Sequence, residues 1–303
     1  MGLGFNVGPA HPGSVPAPRR TDLVLLLVAI VWGSSYLAAK TATAVTPVLA
    51  VLFVRYAISV GALVIFVRRI NRTELRIGVV LGLTQAAVLI LETYGVTHTS
   101  AANAGLIISL TLVLTPLLDR RRLPSRFYLA AATCVVAVGL LMASHGLHAP
   151  GVGDLLMLAA AVVRAGHVAL VGRLATDLRP LQLTTVQAIV GTALFAIPAV
   201  RHLPAIPAVG WLQLAYLALF CSVFAFLAQT WAIQRTSASR ASLLLGTEPL
   251  WAVAIGLGLG DEHLTLPAVL GAILLLAGTT WGQSIERSHR ESGDQQRLLV
   301  TQA

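Results

Sequence analysis

Residues 22–40 read DLVLLLVAIVWGSSYLAAK, an apolar stretch with one acid at its start and one lysine at its end. A helix needs about 20 mainly apolar residues to cross the hydrocarbon core of a bilayer. The stretch therefore predicts a transmembrane helix. It decides the class of the protein, because stretches of the same kind recur along the whole chain.

The overall composition agrees with a membrane protein. Charged residues make up 11% of the 303 residues, whereas a soluble domain carries about 25%. Hydrophobic residues reach 56% and the mean hydropathy is +0.82. A water-soluble globule of this size needs more polar surface to cover its core. The composition excludes an ordinary cytosolic enzyme, a nucleic-acid-binding domain and a disordered chain.

The sequence predicts an all-α integral membrane protein with ten transmembrane helices. Alternating segments of about 10 residues, which are typical of transmembrane β-strands, do not occur. The fourth predicted span is short and contains Pro116. The ten spans are 22–40, 48–67, 77–97, 101–118, 127–144, 154–172, 181–200, 211–233, 241–259 and 266–283.

The basic residues of the connecting segments predict the orientation. Cytoplasmic segments of membrane proteins are enriched in Arg and Lys. If the N-terminus is cytoplasmic, only Lys40 and Arg201 lie on the far side. We therefore expect both termini to be cytoplasmic and the protein to lie in the plasma membrane, that is, the inner membrane of a bacterium. Residues 1–20 and 284–303 are polar or rich in Gly and Pro and are predicted to be disordered tails.

The chain repeats itself. Residues 92–101 read ETYGVTHTSA and residues 229–238 read QTWAIQRTSA. Aligning them divides the chain into two five-helix repeats, residues 21–145 and 152–283. Because five is an odd number of spans, the second repeat must cross the membrane in the opposite sense. Such inverted repeats are typical of secondary transporters.

Four short motifs in register with the duplicated unit carry a family resemblance. They are WGSSYLAAK at 32–40, TSAANA at 99–104, TEPLWA at 247–252 and GAILLLAG at 271–278. With these motifs the chain resembles the EamA type of the drug/metabolite transporter superfamily. The resemblance implies a ten-helix permease or exporter of small metabolites with a central cavity. Arg164 departs from it, since family members often have an aromatic residue there, and His167 follows one turn later.

Ionisable residues inside a membrane are costly and are functional candidates by default. Four lie well inside predicted spans: Arg55, Glu92, Arg164 and Glu248. At 1.5 Å of rise per residue, Arg164 and Glu248 reach the midplane and Arg55 and Glu92 lie nearer the outer face. We predict the pairs Arg164–Glu248 and Arg55–Glu92. Each pair is either a neutralised structural contact or a functional one, in which Arg164 receives an anionic group or a glutamate takes a coupling proton.

Two repeat-related helix faces are candidates for the cavity wall. Trp32, Ser35 and Tyr36 lie at spacings of three and four residues and share one face. Arg164 and His167 share the corresponding face of the sixth span. The two faces either oppose each other across a cavity, with the aromatic rings for stacking and Ser35 as a hydrogen-bond donor, or pack as ordinary helices.

The repeated decapeptide supplies further candidates. Tyr94, Gln229 and Trp231 are repeat-related, polar or aromatic, and are predicted to line the same cavity. Glu248-Pro249 predicts a break in the ninth span, because proline removes a backbone hydrogen bond. The first repeat has Thr111-Leu112 at that place, so the two halves are not equivalent there.

Transport is the function that these features favour. The chain has no Walker A motif, no HExxH, no GxSxG and no CxxC pair, and no large loop for a catalytic domain. We expect a secondary active transporter, in particular an exporter of small polar or amphipathic metabolites, working by alternating access. Its partners would be a small-molecule substrate, a coupling proton or exchanged metabolite, and membrane lipids. It would need no cofactor, no metal and no nucleic acid. The alternatives are a facilitator or exchanger of an anionic metabolite, a membrane scaffold that does not transport, and a lipid-handling protein.

Overall fold

The computed structural model describes residues 20–119, 124–144, 151–200, 206–259 and 266–302, and in these ranges every regular element is helical. The predicted tail 1–20 lies outside the described residues except for Arg20. The first half contains α1 (Arg20–Val45), α2 (Val48–Val64), α3 (Arg72–His98), α4 (Ala101–Ile108), α5 (Thr111–Asp119) and α6 (Ser125–Ser144). The second half contains α7 (Val152–Leu174), α8 (Pro180–Val200), α9 (Ala208–Ala218), a π-helical segment (Leu219–Phe224), α10 (Ala225–Arg235), α11 (Ala238–Leu245), α12 (Glu248–Leu259) and α13 (Leu266–Gln302).

Several of these helices have the length and composition of membrane spans. Five are apolar over at least 18 residues: Arg20–Val45, Arg72–His98, Val152–Leu174, Pro180–Ala199 and Ala208–Arg235. Four shorter apolar helices accompany them: Val48–Val64, Ala104–Leu118, Ser125–Ala137 and Val269–Gly282. The prediction of an all-α membrane protein is confirmed at this level.

The C-terminal helix differs from the expectation. A disordered tail was predicted from Ser284, but α13 continues to Gln302. The segment is rich in Glu, Gln, Arg and Leu, which favour helix, and it contains no proline. A helix that is already nucleated inside the bundle can therefore extend through these polar residues.

The fourth and ninth predicted spans are both interrupted. The first break separates α4 from α5 at Ser109-Leu110, and the second separates α11 from α12 at Gly246-Thr247. Ser109 lies ten residues after Thr99 and Gly246 ten after Thr236, so the breaks are repeat-related. The predicted break in the ninth span is present, at the two residues before Glu248-Pro249, whereas the break in the fourth span was not predicted.

Hydroxyl groups at both breaks form local hydrogen bonds. Ser109 Oγ donates to the Leu106 carbonyl at 2.6 Å, and Thr247 Oγ1 donates to the Leu244 carbonyl at 2.7 Å. Such bonds from a hydroxyl to a carbonyl of the preceding turn are common for Ser and Thr in helices, and the Leu244 carbonyl also accepts from the Thr247 amide at 3.2 Å. Pro249 lies in the first turn of α12, where proline is tolerated, and it follows the break instead of causing it.

The packing partners of the two halves correspond to one another. In the first half α3 packs on α7, while in the second α10 packs on α1. Likewise α4 and α5 pack on α7, and α12 and α11 pack on α1. α2 packs on α8 and α6 on α13, each pair joining equivalent helices. Every helix of this set therefore contacts the opposite half.

One end of the bundle is held together by ion pairs. Arg240 of α11 donates to both carboxylate oxygens of Asp22 in α1, at 3.0 and 2.6 Å. Arg179, just before α8, donates to both oxygens of Glu74 in α3, at 2.7 and 2.8 Å. We call this the Arg-rich end. Both pairs join a helix of the first half to the second half.

The opposite end is held by hydrogen bonds of other kinds. Thr99 Oγ1 donates to Asp154 Oδ1 of α7 at 2.6 Å, and Lys40 Nζ donates to the Thr99 carbonyl at 2.8 Å. Gln213 Nε2 of α9 donates to Thr41 Oγ1 at 3.0 Å. In the part of the chain that the structure describes, no ion pair joins the two halves here.

Candidate substrate-binding site

A cavity lies in the middle of the bundle, between α1, α2, α3, α7, α10 and the start of α12. Its volume is about 30 Å³, enough for about two water molecules. The wall contains nine of the eleven predicted site residues: Trp32, Ser35, Tyr36, Arg55, Glu92, Arg164, His167, Gln229 and Glu248. Four further residues complete it: Gln85, Val88, Leu89 and Phe226.

Arg164 is the centre of the buried charge cluster. Its Nη2 lies 3.0 Å from Glu248 Oε2 and its Nη1 lies 3.3 Å from Glu92 Oε1. Tyr36 donates its hydroxyl to Glu248 Oε1, and Arg164 Nη1 lies 3.5 Å from the same hydroxyl. One guanidinium thus contacts two carboxylates. The predicted Arg164–Glu248 contact is present, but Arg164 also takes the glutamate that was assigned to Arg55.

Arg55 is held by neutral groups instead. Its Nε donates to Ser222 Oγ at 2.6 Å and its Nη2 to the Cys221 carbonyl at 3.3 Å. Both acceptors belong to the π-helical segment. The predicted Arg55–Glu92 pair was therefore wrong. Helical rise gives the depth of a side chain but not its direction, and neither the π-helical segment nor the reach of Arg164 can be read from spacing.

The π-helical segment positions these acceptors. A π-helical turn inserts one extra residue into a helix and is often found at functional sites. Here it places the Cys221 carbonyl where two side chains reach it, since Trp32 Nε1 also donates to it at 3.0 Å. Nothing in the apolar sequence LFCSVF indicates the irregularity.

Trp32 contacts Arg164 and also donates to the Cys221 carbonyl to which Arg55 donates. The Arg164 guanidinium carbon lies 4.3 Å from the centre of the Trp32 ring, which is a cation–π contact. On its other side the ring packs at 5.4 Å on Phe226. The predicted opposition of the Trp32 and Arg164 faces is thus a direct contact in the structure.

Close approach of α1 and α12 brings Tyr36 and Glu248 together. A Cβ atom at Gly33 would lie 2.8 Å from Trp251 Cβ and 2.9 Å from the Glu248 carbonyl oxygen. Only glycine fits there without a shift of the helices. Glu248 is also the first residue of α12, where the helix dipole favours a carboxylate.

The remaining predicted residues divide into two groups. His167 and Ser35 line the cavity, but His167 Nδ1 lies 2.8 Å from Thr84 Oγ1, and Ser35 Oγ donates to the Trp32 carbonyl of its own helix. Tyr94 and Trp231 are half-buried and are not among the residues that line the cavity. The Trp231 ring instead packs against the Arg235 guanidinium at 4.5 Å.

Sequence reasoning missed one stripe of α3. Gln85, Val88, Leu89 and Glu92 are spaced as one helix face and line the cavity together. Extending the helical spacing backwards from Glu92 would have found them. Phe226 lies three residues before Gln229 and could have been found in the same way.

Comparison with known proteins now adds the family. The model of the EamA-like transporter family matches residues 19–144 and again residues 151–281. The chain belongs to the EamA-like transporter family. The resemblance read from the four sequence motifs is confirmed, and it fits the drug/metabolite transporter superfamily.

Relatives of this EamA-like chain carry transporter names. Two proteins of Archaeoglobus fulgidus, each named an uncharacterized transporter, are 27% and 26% identical to it. The matches cover 84% of this chain in both cases, and 83% and 96% of the relatives. The uncharacterized transporter YyaM of Bacillus subtilis is 26% identical over 68% of this chain and 72% of its own length.

One solved structure, described only as the crystal structure of a protein, has the same fold. Its TM-score is 0.70, and the match covers 88% of this chain and 98% of that one. The identity is 18%, so the similarity concerns the fold alone. Together the comparisons and the apolar helices identify a multi-pass membrane protein of a transporter family.

Proposed function

We propose that the protein is a secondary active transporter that moves small polar or amphipathic metabolites across the plasma membrane by alternating access, in the export direction. The observation that carries the proposal is the buried, charge-lined cavity between the two halves. Ionisable groups at such depth in a membrane are costly, and they typically mark a transport pathway. Transport, rather than catalysis, also agrees with the family.

The transport mechanism rests on ten spans in two inverted repeats. Three observations support this arrangement: the corresponding packing partners of the halves, the repeat-related helix breaks, and the ends at which helices begin. α1 begins at the Arg-rich end, where Asp22 pairs with Arg240. α7 begins at the opposite end, where Asp154 accepts from Thr99. Two halves of opposite sense can exchange conformations around one central site.

The size of the cavity supports a mechanism with opening and closing. About 30 Å³ accommodates water but no metabolite. A substrate can therefore enter only when the helices around the cavity separate at one end. The ion pairs at the Arg-rich end favour that end as the closed one in this conformation.

The charge cluster suggests a coupling ion. Arg164 faces two carboxylates, Glu92 and Glu248, and can balance the charge of only one. Protonation of the other carboxylate removes the excess negative charge without leaving Arg164 unpaired. A proton is therefore the coupling ion that the cluster favours.

Flux through proteoliposomes tests the proposal. We expect substrate flux that responds to an imposed pH gradient, and we expect Glu92→Gln and Glu248→Gln to remove that response. Tyr94→Phe, outside the cavity, serves as the matched control and should behave as the wild type. If both Gln variants keep the pH response, the proton is not the coupling ion. If no solute of a broad metabolite mixture crosses, transport itself is rejected.

A second candidate is a facilitator or exchanger of an anionic metabolite, and Arg55 favours it. In the described part of the chain no carboxylate lies within 4 Å of this buried guanidinium. Exchange would proceed without a pH gradient and would require an anion on both sides. Counterflow measured with and without internal anion distinguishes the two candidates.

A further inference from the structure

The cavity contains a second polar region, apart from the Arg164 cluster. Tyr56, the residue after Arg55, packs its ring on Gly191 of α8. Gly82 of α3 packs on Val190, the neighbour of Gly191. Gln85 lies one turn beyond Gly82 and lines the same cavity as Arg55. We call Arg55, Gln85 and Ser222 the Arg55 region.

Hydrogen-bonding capacity in this region is unfilled. Arg55 is 5% exposed, and among the described residues its Nη1 has no hydrogen-bond acceptor. Gln85 is 3% exposed, and its Oε1 is buried without a donor from any described residue. Buried polar groups are nearly always hydrogen-bonded, and an unmet one is costly. Both side chains line the same cavity.

Arg55 also forms no ion pair within 4 Å among the described residues. Glu92 and Glu248 are both engaged by Arg164, while Arg55 contacts only a hydroxyl and a carbonyl. These neutral acceptors fix the guanidinium in place and leave its positive charge available. A fixed cation with a free donor, together with a free acceptor in the same cavity wall, is complementary to an anion that carries its own hydrogen-bond donor.

We propose that the Arg55 region binds the carboxylate of the transported substrate, and that the substrate is a small carboxylate with a hydroxyl group on the adjacent carbon. Arg55 Nη1 donates to the carboxylate. Gln85 Oε1 accepts from the hydroxyl. This inference rests on the proposed transport function and names the substrate class for the same cavity.

Binding to the purified full chain in detergent tests the inference without requiring flux. The probes are lactate, propionate and propane-1,2-diol, with ligand-induced thermal stabilisation as the readout. We expect lactate to bind more tightly than propionate, which lacks the hydroxyl. Propane-1,2-diol lacks the carboxylate and should give no shift. Equal stabilisation by the diol and by lactate would overturn the inference.

Variants assign the effect to the two residues. Arg55→Gln should weaken the binding of both lactate and propionate by about tenfold or more, because a charge-assisted hydrogen bond is lost. Gln85→Leu should reduce the affinity for lactate to that for propionate. Gln187→Leu is the matched control, since Gln187 is also a buried glutamine with an unpartnered amide atom but does not line the cavity. It should leave the order of the probes unchanged.

The remaining outcomes are also decisive. If Arg55→Gln does not fold, Arg55→Lys keeps the charge and should retain the preference for carboxylates over the diol, and loss of that preference contradicts the inference. An Arg55→Gln protein that binds lactate as tightly as the wild type also overturns it. Such a result leaves the transport proposal intact, because flux of the broad metabolite mixture is measured separately in proteoliposomes.

Discussion

Arg164 shows how one side chain determines the chemistry of the cavity. It lies at a position where the family resemblance leads one to expect an aromatic residue, yet it contacts an aromatic ring, two carboxylates and a tyrosine hydroxyl. A buried guanidinium is costly unless its charge and its donors are matched. The aromatic function is instead provided across the contact by Trp32. With Arg164 in place of an aromatic residue, this position contributes to a network of charges instead of a stacking surface.

Tyr36 gives a test at the same scale. Replacing Tyr36 by Phe removes the hydroxyl that donates to the buried Glu248 and leaves the ring in place. Losing a hydrogen bond to a charged group costs about 1.5–3 kcal/mol. We expect the free energy of unfolding in detergent to fall by this amount. Tyr94→Phe is the control, since that hydroxyl makes no hydrogen bond with a described residue, and equal losses in the two variants would contradict the role of Tyr36.

At the scale of elements, the broken fourth and ninth spans set the position of Glu248. Because α11 ends at Leu245 and α12 begins at Glu248, the carboxylate lies at a helix N-terminus within the bundle. The favourable dipole there lowers the cost of burying the charge. The break in the first half has no acidic residue, as Thr111 begins α5. The backbone is interrupted in both halves, but only the break in the second half has a charged residue, Glu248, beside it.

Gly33 tests the contact of α1 with α12. Within a helix, glycine to alanine is intrinsically favourable by about 1 kcal/mol. Gly61→Ala should show this gain, because a Cβ there meets no atom within 4 Å. Gly33→Ala should instead destabilise the protein by about 1–3 kcal/mol, since the methyl group would overlap Trp251 and the backbone of α12. Thermal unfolding of the two variants in one detergent makes the comparison, and a gain for both would contradict the tight packing.

At the scale of the whole molecule, the two ends of the bundle are joined by contacts of different strength. Asp22–Arg240 and Glu74–Arg179 connect the halves at the Arg-rich end with two-point ion pairs, and Arg240 is fully buried. At the opposite end the halves meet through single hydrogen bonds of Thr99 and Gln213. Opening the Arg-rich end thus requires the separation of charges, whereas at the other end the described residues show no ion pair between the halves.

Asp22→Asn tests this asymmetry. The change removes the charge opposite Arg240 and should weaken closure at the Arg-rich end. A cysteine at Ser35, in a protein that lacks Cys134 and Cys221, reports access to the cavity. We expect a membrane-impermeant thiol reagent applied from the Arg-rich side to label it faster in the Asp22→Asn protein, by about tenfold or more, since breaking a buried pair is costly.

The matched control for this labelling is Arg235→Gln. Arg235 is exposed, lies at the same end and contacts Trp231 without joining the halves. With Arg235→Gln added, the cysteine at position 35 should be labelled at the same rate as in the protein that carries the Ser35→Cys change without Arg235→Gln. An unchanged rate in the Asp22→Asn protein, or a rise from the opposite side alone, would show that the ion pair does not close this end.

The sequence by itself determined the membrane class, the helical elements, the family and most of the cavity wall. Hydrophobic length and composition are local properties, and the buried charges at Arg55, Glu92, Arg164 and Glu248 are conspicuous in an apolar chain. Helical spacing then placed Trp32 and Tyr36 on one face. These features are readable because each depends on near neighbours in the chain.

The tertiary structure alone decided which charges meet. Arg164 takes both glutamates and Arg55 takes Ser222 and a carbonyl, because pairing depends on the rotation of each helix and on the π-helical segment. Likewise, only the packing of the surrounding helices leaves Gln85 Oε1 without a donor among the described residues. Packing between distant parts of the chain sets the directions of these side chains, so the spacing of residues along one helix cannot predict them.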